Sequence, residues 1–529
     1  MARYSILTPV YDPPEDVLRA CLESVARQTF QDWEHCLVDD ASTQPHVARV
    51  LEEYAAKDRR FKVQRRATNG GIISASQDAL ELATGEFVCL LDHDDLLTKD
   101  ALTEVDLIAS TDPSLDYCYS DEDYLSPDGK FINPFHKPDW SPERFRSQMY
   151  TGHFSVARRD LVIEVGGFRA GYEGSQDYDL VLRVTEKARS IRHVAKILYH
   201  WRMMPESVAQ NAEAKPWAYE AGRRAVQDHC DRTGRRATVV DGVVPGVYRV
   251  QREIEGEPLV SVVIPTRGSS ARVWGVERCF VVEAVRSLVE RARYTNLEII
   301  VVIDAPAPAG VIEKLERLAE ERLKIVWYDK PFNFSEKVNL GAAHATGELM
   351  LVLNDDIEVE TPDFIETMIG LIQEGDVAMV GAKLLFADGR LQHAGHLYNH
   401  DPFHAYFGYP ADHLGESSVL ACQRETSGVT AACALVKMSI WNEVGGLTPE
   451  LAANFNDVDL SLKIRAKGYR ILWTPYAVLY HFESMTRIPT VNKRELEIMR
   501  ERWATPLKND PYHNPNFEPL RDDWVLRAR

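Results

Sequence analysis

Six short blocks of this 529-residue sequence occur twice, in the same order. ATGEFVCLLDHDD from Ala83 corresponds to ATGELMLVLNDDI from Ala345. The other pairs are SILTPVY with SVVIPTR, EHCLVDDAS with EIIVVIDAP, VGGF with VGGL, QDYDLVLRV with NDVDLSLKI, and KILYHW with AVLYHF. The spacing between partners grows from 256 residues at Ser5 and Ser261 to 281 residues at His200 and His481, as small insertions would produce. The chain is therefore a tandem duplication of one domain, and not a solenoid of short repeats.

Length and composition indicate a soluble globular protein with two domains of roughly 250 residues. Apolar residues make up 45% and charged residues 27%, and the net charge of −19 argues against a broad nucleic-acid surface. The eight cysteines show no CxxC pair and no zinc spacing, which favours reduced thiols. We find no leader and no apolar run of about 18 residues. We expect a cytoplasmic protein without a membrane span, with peripheral association at the inner face of the membrane left open.

Each copy alternates apolar strands with amphipathic helices. SILTPV and HCLVDD are short apolar runs, and the helix between them has one apolar face, formed by Val17, Leu18, Cys21, Leu22 and Val25. This alternation predicts an α/β fold with two tandem, Rossmann-like domains, each a mostly parallel sheet with flanking helices. Ligands bind such sheets at the carboxyl ends of the strands, where Thr8, Asp40 and Asp92 lie.

Turn-forming Gly and Pro residues before the strand SVVIPTR, which begins the second copy, indicate a domain boundary. We expect the first domain to cover residues 1–254 and the second to cover residues 255–487. Pro- and Asn-rich stretches such as NDPYHNPNFEP predict an extended C-terminal tail, residues 488–529, packed on a domain.

The ordered blocks resemble the inverting family 2 glycosyltransferases of the GT-A fold, and among them the bacterial enzymes that build surface polysaccharides. The resemblance covers nearly the whole chain, in two copies. It rests on the first strand with Thr8 and Pro9, the VDDAS turn, NGG from Asn69, the DHDD loop, the GGF turn and QDYDL. It implies transfer of a sugar, with inversion, from a nucleoside diphosphate to a hydroxyl of a glycan acceptor, free or lipid-linked.

The DHDD loop is the candidate metal site of the first copy. A leaving diphosphate develops negative charge, which a divalent cation stabilises, and Mg²⁺ and Mn²⁺ prefer oxygen ligands. By the resemblance, Asp92 and Asp94 form a DxD element in which Asp94 binds the metal and Asp92 lies near the ribose and the metal. The alternative is an acidic turn that caps the next helix.

The resemblance assigns the nucleotide base to two further residues. Asp40 would accept the N3–H of a uracil or thymine ring, with Thr8 beside the same ring, so the donor would be a UDP- or dTDP-sugar. An ordinary Asx turn is the alternative for Asp40.

An acceptor alcohol needs a general base, because it is a poor nucleophile at neutral pH. The resemblance gives this role to Asp177, with Gln176 where many relatives have Glu. Asp177 could instead be one of the acidic residues that stabilise a helix N-terminus. His200 recurs as His481, and the resemblance implies a place in the metal shell; a satisfied polar residue at a strand end is the alternative.

The second copy repeats this set with one difference. Thr266 and Asp304 correspond to Thr8 and Asp40, and Asp457 corresponds to the base Asp177. Asn354 replaces Asp92, while the predicted metal ligands are Asp356 and His481. Because the base and the metal ligands remain, we expect two active sites. The uncharged Asn354 favours the alternative, in which one copy catalyses and the other binds a glycan or a partner.

The acceptor side is less clear in the sequence. PDWSPERF, with Trp140, and MYTGHFSV lie between the metal loop and the base in the first copy, and HAGHLYNHDPFHAYFGY does so in the second. Their aromatic residues suit sugar faces or core packing equally. His393, His396, His400 and His404 have helical spacing, but Gly395, Asn399 and Pro402 argue against a helix, so the sequence does not favour a metal cluster there.

Two other enzyme classes lack their sequence signals. A nucleotidyltransferase would show a Gly-rich phosphate loop after the first strand, where TPVYDPP stands. A dehydrogenase would show GxGxxG at the start of the first helix.

Overall fold

The computed structural model describes residues 2–204, 216–482 and 492–527. The chain forms two compact units. The first consists of Met1–Trp140, Gln148–Val250 and Asn514–Asn516, and the second of Ser141–Ser147, Gln251–His513 and Phe517–Arg529. The predicted boundary after residue 254 lies close to Val250, and the one after residue 487 falls outside the described residues. Among those residues, no helix is both long and apolar enough to span a bilayer.

The first copy contains eleven strands and eight helices within its described residues. The strands are β1 Tyr4–Val10, β2 Trp33–Asp39, β3 Phe61–Arg65, β4 Phe87–Leu90, β5 Leu96–Leu97, β6 Leu115–Leu125, β7 Phe131–Phe135, β8 Ser155–Arg158, β9 Ser190–Arg202, β10 Ala237–Asp241 and β11 Tyr248–Arg252. The helices are α1 Glu15–Ala26, α2 Pro45–Lys57, α3 Gly71–Leu82, α4 Ala101–Thr111, α5 Pro142–Ser147, α6 Arg159–Glu164, α7 Gln176–Thr185 and α8 Pro216–Arg232.

The sheet of the first unit has the order β3-β2-β1-β4-β8-β6-β9-β5, and β7 pairs with β6. Strands β1 to β4 are parallel, and β1 and β2 are almost wholly buried, as expected for strands covered by helices on both faces. Their carboxyl ends lie at one edge of the sheet. The antiparallel pairing of β5 with β9 brings His200 opposite Leu96, directly after the DHDD loop.

The second copy repeats this arrangement. Its strands are β12 Val260–Thr266, β13 Ser270–Val273, β14 Val276–Cys279, β15 Leu297–Asp304, β16 Leu323–Tyr328, β17 Leu349–Leu353, β18 Ile357–Val359, β19 Val377–Leu385, β20 Leu391–His393, β21 His396–Asn399, β22 Asp401–His404, β23 Arg424–Glu425, β24 Cys433–Lys437 and β25 Arg470–His481. Its helices are α9 Phe280–Arg291, α10 Val311–Ala319, α11 Phe334–Ala343, α12 Phe364–Ile372, α13 Met438–Val444, α14 Asn456–Ala466 and α15 Lys493–Trp503, with 3₁₀ turns at Glu320–Arg322, Glu416–Ser418 and Pro506–Lys508.

The second sheet has the order β16-β15-β12-β17-β24-β19-β25-β18, which matches the first sheet strand for strand. Strand β18 pairs with β25 so that Ile357 faces His481, as Leu96 faces His200 in the first sheet. The apolar side chains of β12, β15 and β17 form the centre of two buried clusters, one on each face of the sheet. The predicted α/β class with tandem, Rossmann-like domains is confirmed.

The C-terminal segment differs from the extended tail that the sequence predicts. It contains helix α15, whose first turn is capped by the Asn492 side chain, which accepts a hydrogen bond from the Arg494 N–H. Ile498 and Met499 of this helix are buried in an apolar cluster with Tyr398 and Leu451. This packing is tertiary and stabilises a short helix that propensity alone would leave marginal.

Candidate active site

Asp40 directly follows the second strand of the first unit, β2, and is almost completely buried. Its two carboxylate oxygens accept hydrogen bonds from the N–H groups of Gly70, at 2.9 Å, and Gly71, at 2.8 Å. Arg66 Nε forms an ion pair with the same carboxylate at 2.9 Å. The Asp40 carboxylate therefore holds the NGG loop at the start of α3, and not the Asx turn that was the alternative for it. Its role in binding the nucleotide base stays a prediction.

Thr8 is buried beside this strand end. Its hydroxyl is 2.8 Å from His35 Nε2. Burial lowers the pKa of His35 to about 3, so this histidine is neutral. The predicted contact of Thr8 with a nucleotide base stays a prediction.

The last aspartate of the DHDD loop holds the loop in place. Asp95 is fully buried, and its carboxylate accepts hydrogen bonds from the Tyr199 hydroxyl at 2.5 Å and from the Arg202 N–H at 2.7 Å. Arg202 Nε also donates to the backbone carbonyl of Asp94 at 2.7 Å. The side chains of Asp92 and Asp94 have no hydrogen-bond partner among the described residues, which leaves their oxygens available to a ligand.

The structure adds His153 to this site. One ligand atom each of Asp92, Asp95 and His153 lie within 4.8 Å of one another. Although burial opposes it, contact with Glu122 raises the pKa of His153 to about 9, so that the ring is positively charged. Glu122 also accepts a hydrogen bond from the buried Lys137 Nζ at 3.0 Å.

Sequence reasoning passed over His153, although it lies in the MYTGHFSV segment. The pairing of β8 with β4 corresponds to that of β24 with β17, which places Ala432 at the equivalent position. Because the second copy lacks this histidine, the duplication gave no signal for it.

Asp177 is the second residue of α7, as the sequence predicts. Its Oδ1 accepts a hydrogen bond from the Tyr178 N–H at 2.8 Å. Asp92, His153 and Asp177 line one small cavity of about 50 Å³. Burial raises the pKa of Asp177, and burial also raises that of Asp92. The structure thus brings the predicted base close to the first aspartate of the DHDD loop.

His200 is held by an acidic partner. Its Nδ1 lies 2.5 Å from Asp123 Oδ1, and its ring stacks on Phe131 with centroids 4.0 Å apart. A proton on Nδ1, facing the carboxylate, leaves Nε2 as the atom with a free lone pair. A carboxylate that holds the other ring nitrogen, as Asp123 does here, commonly orients a metal-binding histidine.

The second unit has a larger cavity of about 710 Å³ at the carboxyl ends of its strands. Five predicted site residues line it: Thr266, Asn354, Asp356, Asp457 and His481. Asp304 ends β15 nearby, in an ion pair with the ammonium of Lys337. Lys337 Nζ also donates to the Thr266 carbonyl at 2.8 Å, so one buried lysine joins the ends of two strands.

The predicted metal ligands of this unit are in direct contact. His481 Nε2 lies 3.1 Å from Asp356 Oδ1 and 3.1 Å from Asn354 Nδ2. Its Nδ1 lies 2.6 Å from Gln392 Oε1. Because an amide oxygen only accepts, Nδ1 carries the proton, and Nε2 presents its lone pair to Asn354 and Asp356.

Asp355 was not assigned by the sequence. Its Oδ2 accepts a hydrogen bond from the Thr266 hydroxyl at 2.5 Å, and burial raises its pKa to about 7. It holds the end of β12 against the loop that carries Asp356.

Asp457 is the second residue of α14 and faces a different set of groups from Asp177. Its Oδ1 accepts a hydrogen bond from the Val458 N–H at 2.8 Å, and its Oδ2 accepts one from the Ala431 N–H at 3.3 Å. His396 Nε2 lies 3.9 Å from the same Oδ2.

The donor sets of both units fit a hard divalent cation. Carboxylate oxygens combined with one neutral imidazole nitrogen suit Mn²⁺ or Mg²⁺. In the second unit, Asn354 Oδ1 is buried and has no hydrogen-bond partner among the described residues. An amide oxygen in that state is a suitable ligand for a cation or for a water bound to one.

Known proteins share sequence with both copies of the chain. The family model for glycosyl transferase family 2 matches residues 5–166 and 261–445. The uncharacterized protein y4gI of Sinorhizobium fredii is 41% identical over 540 residues, which cover 99% of this chain and 58% of that protein. The O-antigen biosynthesis protein RfbC of Myxococcus xanthus is 35% identical over 533 residues, which cover 99% of this chain and 41% of that protein.

The chain therefore spans 58% and 41% of the length of these two relatives. A crystal structure of S. aureus TarS 1-349 in complex with UDP-GlcNAc is 22% identical over 43% of this chain and 66% of that chain, with a TM-score of 0.36. The matched family segments fall in both copies and include both DHDD-type loops. The chain belongs to glycosyl transferase family 2, as a tandem pair of GT-A domains.

Proposed function

We propose that the chain transfers sugars from a UDP- or dTDP-sugar to hydroxyl groups of a glycan acceptor, with inversion and with Mn²⁺ or Mg²⁺ as cofactor. The observation that carries the proposal is the second-unit cavity, which joins the contacting pair Asp356 and His481 with Asp457. The named relative in O-antigen biosynthesis supports a role in surface polysaccharide synthesis.

In the second unit, Asp356, His481 and Asn354 would hold the cation. A cation bound there stabilises the negative charge of the leaving diphosphate. Lys337, in contact with Asp304 and the end of β12, adds positive charge on the nucleotide side. Asp457 takes the proton from the acceptor hydroxyl as that oxygen attacks the anomeric carbon.

In the first unit, Asp92, Asp94 and His200 would hold the cation, and Asp177 is the base. Burial raises the pKa of Asp177, which makes its carboxylate a stronger base than an exposed one. His153 places a positive charge next to Asp92, where it can face a diphosphate.

The two units differ enough to suggest two reactions. The first has the charged His153, and the second has Ala432 at that position and Lys337 on the nucleotide side. We propose that the chain is bifunctional and forms two linkages. The alternative is that one unit only binds a glycan or a partner, which the uncharged Asn354 favours for the second.

Single and double base variants test this proposal. Transfer is measured by mass spectrometry with a panel of UDP- and dTDP-sugars, short glycan acceptors and Mn²⁺. Asp177→Asn and Asp457→Asn should each remove a different linkage, and the double variant should remove both. Asp160→Asn, an exposed aspartate on α6, is the matched control.

If only one base variant removes transfer, the other unit is a binding module. If the double variant keeps full activity, both assigned bases are wrong. A glycan acceptor on a lipid would bring the chain to the inner face of the membrane, which co-sedimentation with acceptor-loaded vesicles measures.

A further inference from the structure

Three histidines of the second unit meet at a β-hairpin. His396 and His404 are direct cross-strand partners in the antiparallel pair β21 and β22, and His393 ends the preceding strand β20. One ring nitrogen of each lies within 4.8 Å of those of the other two. As the sequence indicates, these residues are not on a helix. The hairpin nevertheless brings the three side chains together. His400, at the turn of the hairpin, is exposed and outside the group.

The three rings have the arrangement of a tripod. Their centroids are 4.9, 5.1 and 5.2 Å apart, and their planes cross at 78°, 86° and 83°. Three imidazoles bound to Zn²⁺ at about 2.0–2.1 Å put the ion about 3.2 Å from each ring centroid. Tetrahedral angles then separate the centroids by about 5.2 Å. The observed triangle matches this size.

At least two of the three rings are buried and neutral, the charge state in which an imidazole can bind a metal. Burial lowers the pKa of His393 well below its ordinary value and that of His396 to about 4, so both rings are neutral at pH 7. The buried Nδ1 of His396 has no hydrogen-bond partner among the described residues. His393 Nδ1 and His404 Nδ1 lie 2.8 Å apart, so one proton lies between them.

That proton belongs to His393. The Thr430 N–H donates to His393 Nε2 at 3.2 Å, which leaves Nδ1 as the protonated nitrogen of the neutral ring. A cation that binds Nδ1 moves this proton to Nε2, and the Thr430 contact, already at the long end for a hydrogen bond, then opens. No net proton is lost from the ring in this exchange.

We propose that Nδ1 of His393, His396 and His404 bind a divalent transition-metal ion of the Zn²⁺ class at a second site in this unit. Its nitrogen donors set it apart from the oxygen-rich site at Asp356 and His481, which prefers a harder ion. Three protein ligands leave a fourth position open, and His396 and His404 both line the 710 Å³ cavity.

The ion would also orient the candidate base. With His396 Nδ1 on the metal, its Nε2–H faces Asp457 Oδ2, 3.9 Å away, in a carboxylate–histidine–metal arrangement. This role rests on the proposed function of Asp457, whereas the metal site itself does not.

Cobalt and zinc binding to the full chain test the proposal. The protein is stripped with EDTA and loaded with Co²⁺, and the visible spectrum should show the intense bands of a tetrahedral ion. When the stripped protein is loaded with Zn²⁺ instead, mass spectrometry of the metal should find one tightly held Zn²⁺ per chain. His404→Gln and His396→Val should each lose both signals. His400→Asn, on the same hairpin, should keep both, since Asn tolerates the positive φ of 70° at this position.

The Asp356→Asn variant separates this site from the proposed function. It should keep the zinc equivalent and lose only the Mn²⁺-dependent UDP binding of the second unit, so that one UDP remains bound per chain instead of two. The proposal is overturned if the wild-type chain shows no tetrahedral Co²⁺ spectrum, if a folded His404→Gln variant retains the zinc, or if Asp356→Asn loses it. If His404→Gln does not fold by circular dichroism, His396→Val decides on the same readouts.

Discussion

His481 Nε2 lies 3.1 Å from Asp356 Oδ1, although 125 residues separate the two in the chain. The antiparallel pairing of β18 with β25, which places Ile357 opposite His481, produces this contact. Gln392 holds the other ring nitrogen at 2.6 Å. A histidine that is fixed on one side and faces a carboxylate on the other supports the proposed role of His481 as a metal ligand.

We expect His481→Ala to remove Mn²⁺ binding at the second unit, because it deletes a ligand. Gln392→Leu should weaken Mn²⁺ binding by about 10- to 100-fold, because it removes only the group that orients that ligand. Electron paramagnetic resonance titration with Mn²⁺ measures both, in an Asp94→Asn background that silences the first unit. Unchanged affinity in His481→Ala would remove this histidine from the metal shell.

His153→Gln should weaken nucleoside diphosphate binding by the first unit about tenfold or more, since it removes a charged donor worth about 1.5–3 kcal/mol. The pKa of about 9 keeps wild-type His153 charged at pH 7.5, and its contribution should fade as pH rises through 9. Calorimetric titration with UDP and Mn²⁺ at pH 7.5 and pH 9.5 measures this. Equal affinities for wild type and variant at pH 7.5 would contradict it.

The pH dependence of transfer by the first unit should reflect Asp177. A general base acts only when deprotonated, so the rate falls as pH drops through its pKa. Burial raises the pKa of Asp177 above its ordinary value, so the acid limb should lie at higher pH than for an exposed aspartate. Initial rates in an Asp457→Asn background give this limb. A rate that stays flat down to pH 4 would show that another group is the base.

Glu143→Gln should destabilise the second unit by about 3–5 kcal/mol, because it leaves buried cations without their partner. The Glu143 carboxylate accepts hydrogen bonds from Arg252 at 2.7 and 2.9 Å and from Arg146 at 2.8 Å. Although burial opposes it, these arginines lower the pKa of Glu143 to about 2.

Denaturant unfolding at pH 7 measures this loss, and the exposed Glu290→Gln on α9 is the control, with a change expected within about 0.5 kcal/mol. The wild-type contribution is fully present above the unfolded pKa of Glu143, about 4.5, and is lost as pH falls through about 2. Equal stability of the two variants at pH 7 would contradict the role of this ion-pair network.

The duplicated blocks made the fold predictable. They identified both sets of strands and, through the recurrence of His200 as His481, the histidine that contacts Asp356. A feature present in both copies is visible in one sequence, because each copy serves as a reference for the other. His153 was missed for the converse reason, since Ala432 occupies its place.

The histidine group was missed because side-chain proximity across a hairpin does not follow from spacing in one strand. The pairing of His396 with His404 depends on the tight turn at His400. Helix α15 was missed because its stability comes from burying Ile498 and Met499 against distant residues. Both depend on tertiary contacts that local patterns do not encode.

The number of UDP or dTDP molecules bound per chain in Mn²⁺ tests the central claim most directly. Calorimetric titration should give two per chain for the wild type, one for Asp356→Asn, one for Asp94→Asn, and none after EDTA. Binding that survives EDTA, or a wild-type chain that binds neither nucleotide, would contradict an account in which each unit holds a nucleotide diphosphate through a cation.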